Sequence, residues 1–250
     1  EEPPERTVWV LCAPSEADLL PTIRSRVRPL RLREPDVADV AELITARTGI
    51  DPAVAEQAAR HAQRHIGMAQ RLATDESARR RRDDSLRAVL AARGVSDAVE
   101  VAGRIIQTAT DDAKALTAEC DAAERAALLR TVGVAEGQAV PPAVRAQVSA
   151  LEDDQRKRAT RSLRDGIDRV LTDLQSMYRD VMMLQYGRGD DLINRELSTE
   201  LTGLASAWPV ERTLVVLDAI ADTRESLERN VAPLLALESL LVTVTSGRTP

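Results

Sequence analysis

An octapeptide near the start of the chain, Thr22-Ile23-Arg24-Ser25-Arg26-Val27-Arg28-Pro29, sets three guanidinium groups on alternate residues. Arginine stays charged at physiological pH and makes bidentate contacts to phosphate oxygens, so the stretch suits either phosphoryl recognition or a solvated basic edge. Ser25 stands among these arginines, yet no His or second acid has a recognisable place beside it, which argues against a nucleophilic hydroxyl. His61 and His65 are one helical turn apart, a spacing that suits two imidazoles on one metal. Ala62 stands where a zinc protease needs Glu, and a third His is lacking, so a structural pair is expected instead. Arg79 to Arg82 form a run followed by Asp83 and Asp84; a solvated helix face is the expectation, with contact to DNA phosphates as the alternative. The sequence contains no Gly-x-x-x-x-Gly-Lys-Ser/Thr, so this chain by itself is not expected to bind ATP tightly.

The elements that must position these residues follow from composition. Hydrophobic residues make up 44% of the 250, but aromatics only 2% with no Phe, so the interior must be built from Leu, Val, Ile and Ala, which pack well between helices. A net charge of −6 denies the chain the broad positive field of a main nucleic-acid surface, and any DNA contact should be local. No apolar run is long enough to span a membrane, and Glu1-Glu2-Pro3-Pro4 resembles no signal segment, so a soluble, cytoplasmic protein is expected. Cys12 and Cys120, far apart in a chain with no such signal, are expected to be reduced and mostly buried. No residue set here calls for a metal.

Thr7-Val8-Trp9-Val10-Leu11-Cys12-Ala13 is a continuous β-branched and apolar run, which predicts a strand buried in an α/β sheet. One strand cannot form a sheet, so its neighbours are expected upstream and the chain is expected to be a fragment. Ser15 can cap a short helix before Pro21. From Pro35 the period becomes helical, with Val37, Val40, Ala41 and Ile44 in one helix and a second opening at Asp51-Pro52 with Val54, Ala58 and His61. A third is expected to follow Gly67 and continue through Leu72 into the arginine run. Longer helices come next: Val99, Ala102, Ile106, Ala109, Leu116, Cys120 and Ala127 keep a three-four spacing up to Gly133, and Glu136 to Pro142 reads as a loop. Leu163, Ile167, Val170, Leu174, Met177, Val181 and Leu184 form the seam of a long helix stopped by Gly187 and Gly189. Met177, Met182 and Met183 on that helix suit packing better than a cofactor, and Trp208 is expected to fill a gap at a helix junction. Two more helices are indicated by Leu197, Leu201 and Leu204 and by Leu214, Leu217, Ile220 and Leu227. The last follows Asn230 and Pro233.

Three local patterns resemble the bacterial DNA polymerase III clamp-loader subunits of the AAA+ family. Glu1-Glu2-Pro3-Pro4 with the Thr7 to Cys12 run looks like the approach to the family's sensor 1 strand. Leu19-Leu20-Pro21-Thr22-Ile23-Arg24-Ser25-Arg26-Val27 is similar to its Ser-Arg-Cys motif, with Val27 where Cys is usual. Leu227 to Glu238 looks like the closing helix of its collar domain.

The resemblance implies a mainly α fold: the end of an AAA+ α/β domain over residues 1–33, a three-helix lid bundle over 34–83 and a helical collar over 84–250. It also implies that Arg26 acts as an arginine finger, reaching the γ-phosphate of ATP bound by the adjacent subunit. The strand runs into Ala13-Pro14, and Gly67 within Arg64-His65-Ile66-Gly67-Met68-Ala69 stands where the lid Arg of ATP-hydrolysing members is expected. Those departures resemble the delta prime branch. The implied partners are the other loader subunits, gamma/tau and delta, and through the complex the sliding clamp and primed DNA. No cofactor is implied in this chain, only ATP held by the neighbour. The alternatives are an ATP-hydrolysing gamma/tau-like motor and a purely structural helical adaptor.

Overall fold

The computed structural model describes residues 6–13, 15–133, 141–142 and 144–246, with the side chains of Leu116 and Glu119 left aside. Glu1 to Pro4, Pro14, the expected loop from Glu136 up to residue 140 and the Leu116 side chain therefore lie outside the described residues. The chain forms two compact units, Glu1–Asp36 and Val37–Pro250.

In the first unit the expected strand is not formed. Thr7 to Cys12 carries no regular structure, and Val8, Trp9, Val10 and Leu11 are 86%, 69%, 80% and 48% exposed. The reason is that a strand exists only through a ladder with a second strand, and among the described residues of this unit no such edge occurs. The Ser15 cap is present. Ser15 Oγ accepts from the Ala17 N–H at 3.2 Å while Asp18 Oδ2 accepts from the Ser15 N–H at 3.1 Å, closing a capping box on the 3₁₀ turn Glu16–Asp18. Pro21, with its fixed φ, then opens the four-residue helix α1, Pro21–Arg24.

The second unit begins with α2 (Val37–Thr48), α3 (Pro52–His61) and α4 (Ile66–Thr74). Gly49 takes φ +69° to end α2, and Asp51 Oδ1 accepts from the Ala53 N–H at 2.8 Å to start α3. These helices close on a core of small residues, with Val40, Ile44, Ala55, Ala58, Ala59 and Leu72 buried. The third helix does not run on through the arginines. Asp75 ends it and accepts from the Ala78 N–H at 3.0 Å, so its carboxylate starts a new helix, α5 (Glu76–Ala91), by satisfying an amide that has no helical partner.

Then follow α6 (Val95–Thr131), α7 (Arg145–Gln185), α8 (Ser198–Ala207), α9 (Val210–Glu228) and α10 (Pro233–Thr245). The seam of α7 is as spaced in the sequence: Ile167, Leu174, Met177 and Val181 are fully buried, and Leu163, Val170 and Leu184 pack against them. Around it lie α5, α6, α8 and α9, with α10 against α6 and α9. Each such fully buried Leu or Ile contributes about 1.5–3 kcal/mol. Gly187, at φ +73°, ends α7.

Helix α5 is shared between the two cores. Ala78 packs on the small core, whereas Leu86 and Val89 belong to the large one, so a boundary placed at residue 83 falls inside one continuous helix.

At 37 and 41 residues, α6 and α7 run past the core. There the apolar stripe expected through Cys120 and Ala127 gives way: both residues are exposed, and charge takes over. Arg158 reaches Asp121 at 2.9 Å and Glu124 at 2.8 Å, and Arg125 reaches Glu152 at 2.5 Å. The expectation of buried thiols is likewise corrected, since Cys12 and Cys120 are both exposed and free. Cys12 lies on the unpaired segment, and Cys120 on the charged part of α6. The fold is thus mainly α, without a strand among the described residues. Among those residues no helix is long and apolar enough to cross a membrane.

Candidate functional site

Arg26 follows directly on a helical turn that its own sequence builds. Ser25 caps α1, its Oγ donating to the Thr22 carbonyl at 3.2 Å, and the Arg26 N–H bonds the Ile23 carbonyl at 2.9 Å. The backbone is therefore held while the side chain is exposed, with no hydrogen bond or ion pair to another described residue. Arg24 and Arg28 are exposed on the same segment, and Val27 is half-buried. A nearby charge is already committed: Arg31 meets Glu16 at 3.1 Å. Chemically, this is a cation presented to solvent from a fixed turn, a form that suits an anion supplied by another molecule.

The two histidines do not converge on one point. His65 caps α4, its Nδ1 accepting from the Met68 N–H at 3.2 Å. Gly67 lies in the first turn beyond that cap, and a Cβ there would sit 3.5 Å from the His65 ring. His61 is buried at the end of α3, with Nε2 2.9 Å from Glu196 Oε1 but without full hydrogen-bond alignment. Among the described residues no His, Cys, Asp and Glu group is placed to hold a metal.

The arginine run is not a solvated face. Only Arg80 is exposed, paired with Glu76 one turn back at 2.5 Å. Arg79 caps the end of α4, reaching the Leu72 and Ala73 carbonyls at 2.6 and 2.7 Å. Arg81 meets Asp112 of α6 at 2.9 Å. Arg82 is 6% exposed and meets Asp173 of α7 at 2.8 Å, with a further hydrogen bond to Asn194. The fold turns the run inward because consecutive helical residues point about 100° apart, so four arginines in a row cannot share one face.

Beyond Arg82 the buried polar groups continue. Asp180, fully buried, accepts from the Ile193 and Asn194 N–H groups at 3.0 and 2.7 Å and from the Asn194 side chain at 2.8 Å. Burial pushes the Asp173 carboxyl above its ordinary value despite Arg82. Burial also pulls Glu196 upward, but there His61 and Arg82 outweigh it and leave the carboxyl below its ordinary value. One signal for this cluster was present in the sequence: Arg82, Leu86 and Val89 follow a four-three spacing, which puts Arg82 on the buried stripe of α5.

Residues 1–36 match the family model described as DNA polymerase III, delta subunit. Residues 159–246, from within α7 to the end of α10, match the model described as DNA polymerase III, delta subunit, C terminal. No curated protein and no solved structure matches the chain. The first match contains Arg26 and its turn; the second contains the α7 seam and helices α8 to α10. The two matches support a clamp-loader subunit of DNA polymerase III and do not separate delta from delta prime.

Proposed function

We propose that the chain is the delta prime-like subunit of the clamp loader, helping ATP-dependent loading of the sliding clamp onto primed DNA in the cytoplasm. Arg26 donates a guanidinium to ATP held by an adjacent gamma/tau subunit, while α6 to α10 form the collar through which the subunit joins its sisters. The observation that carries this reading is the Arg26 side chain, exposed on a turn held by Ser25 and uncommitted to any described residue. A charge presented in trans stabilises the negative charge that builds on the phosphoryl oxygens in the transition state, and in other NTPases it accelerates hydrolysis by about 10³ to 10⁵.

The test is Arg26→Ala in a loader reconstituted from all its subunits, with DNA-stimulated ATP turnover as the readout. Turnover at the site Arg26 faces should fall by about 10³ or more while assembly is unaffected. An unchanged rate overturns the finger. The description of the matched family, delta subunit, favours a second reading in which the chain holds a place in the ring without assisting hydrolysis. Under that reading the substitution changes nothing and the assembled complex still loads clamps.

A further inference from the structure

Between α4, α5, α6 and α7 lies a cleft of about 440 Å³, within the size range of small-molecule sites. Met68, Leu72, Ile105 and Ala109 are among its lining residues, so much of its wall is apolar. Arg81 and Arg82 also line it, but each has its carboxylate: Asp112 at 2.9 Å and Asp173 at 2.8 Å. Asp168 is likewise held, by Arg224 at 3.0 Å.

Two guanidiniums in the lining differ. Arg169 of α7 is half-buried and makes no hydrogen bond or ion pair with any described residue. Arg71 of α4 has only Asp112, at the outer limit of 4.0 Å and shared with Arg81. The charges around Arg169 are Arg71, Asp165, Asp112 and Asp173. Burial, and then the like charge of Arg71, hold the Arg169 guanidinium below its ordinary value. A half-buried guanidinium with no bonded partner, sharing an apolar-walled cleft with a second cation held only at 4.0 Å, suits an anionic group that both can reach.

We propose that this cleft is a binding site for a small amphipathic anion, its apolar body against Met68, Leu72, Ile105 and Ala109 and its acid group between Arg71 and Arg169. Such a ligand would tie α4 of the small core to α7 of the large one. The site is separate from Arg26 and does not rest on the finger.

The probe is 1-anilinonaphthalene-8-sulfonate, an apolar body with one fixed negative charge, titrated by fluorescence into the full chain alongside its uncharged analogue N-phenyl-1-naphthylamine. One saturable site is expected for the sulfonate. Arg169→Gln should weaken it about tenfold or more, the scale of one lost charge-assisted hydrogen bond, and leave the uncharged dye unaffected. Thr108→Trp, which fills the cleft from its α6 wall, should weaken both dyes. Arg71→Gln serves as a second charge removal should Arg169→Gln melt early. The proposal is overturned by a sulfonate that finds no saturable site, binds the charge-removed variants as tightly as the parent, or ignores the tryptophan.

Discussion

The guanidinium of Arg82 in α5 and the carboxylate of Asp173 in α7 meet at 2.8 Å across 91 residues of sequence. With Arg82 6% exposed and Asp173 half-buried, the pair is largely withdrawn from water and joins the helix that spans both cores to the helix that organises the larger one. Desolvating such ions is costly, and the cost is offset only while each keeps its partners.

Arg82→Ala should therefore destabilise the protein by about 3–5 kcal/mol, because it strands Asp173 without its cation. Urea unfolding of Arg82→Ala, Asp173→Ala and the double variant measures it, and the coupling should be about 0.5–3 kcal/mol. Additive losses would show that the contact contributes nothing of its own.

The acid dependence of stability should carry two opposite slopes. Glu196 has a folded pKa below its ordinary 4.5, so it contributes stability above its unfolded pKa and loses it as pH falls through the folded pKa. Asp173 has a folded pKa above its ordinary 3.8, so the folded state binds that proton more tightly and stability falls as pH rises from the unfolded towards the folded value. Thermal melts across this acid range check both signs: Glu196→Gln should flatten the loss on the acid side, and Asp173→Asn should remove the decline with rising pH.

How much of this was open to the sequence depends on the range of the interaction. Local chemistry was legible: Ser15, Gly49, Asp51 and Gly187 end or start helices through contacts a few residues away, and the seam of α7 is a property of one helix. The helix expected from Gly67 through Leu72 into the arginine run breaks at Asp75, whose carboxylate accepts from the Ala78 N–H and overrides the apolar spacing. The spacing of Arg82 with Leu86 and Val89 marks it as inward-facing, but its partners Asp173 and Asn194 lie on elements far along the chain and needed coordinates. The Thr7 to Cys12 run has the residues of a strand, but a strand is a relation between two segments. The exposure of Arg26 on its turn needed coordinates.

Both thiols should react in the native protein. Cys12 and Cys120 are exposed, with Arg158 Nη1 and Glu124 Oε1 3.3 and 3.5 Å from the Cys120 sulfur. A thiol reagent such as 5,5′-dithiobis(2-nitrobenzoate) should release two equivalents without denaturant, the number of cysteines in the chain. A thiol that reacts only after unfolding would contradict the exposed placement.

The two tryptophans offer a built-in report on the large core. Trp9 is 69% exposed, whereas Trp208 is 9% exposed, lies parallel to the Tyr178 ring at 6.0 Å between centroids, and carries the Arg212 guanidinium 5.3 Å from its own ring centre. Stacking and cation–π contact each add to what burial alone provides. Trp9→Phe should leave a blue-shifted emission, poorly quenched by acrylamide, that comes from Trp208 alone and is lost in one step on unfolding. Trp208→Ala should cost about 3–5 kcal/mol, because it opens a cavity between the end of α8 and α7 that neither helix can close without losing its contacts with the rest of the bundle. Retention of most of the stability in Trp208→Ala would mean that the Tyr178 and Arg212 side chains collapse into the space, and that the junction is held by the α7 seam rather than by the aromatic pair.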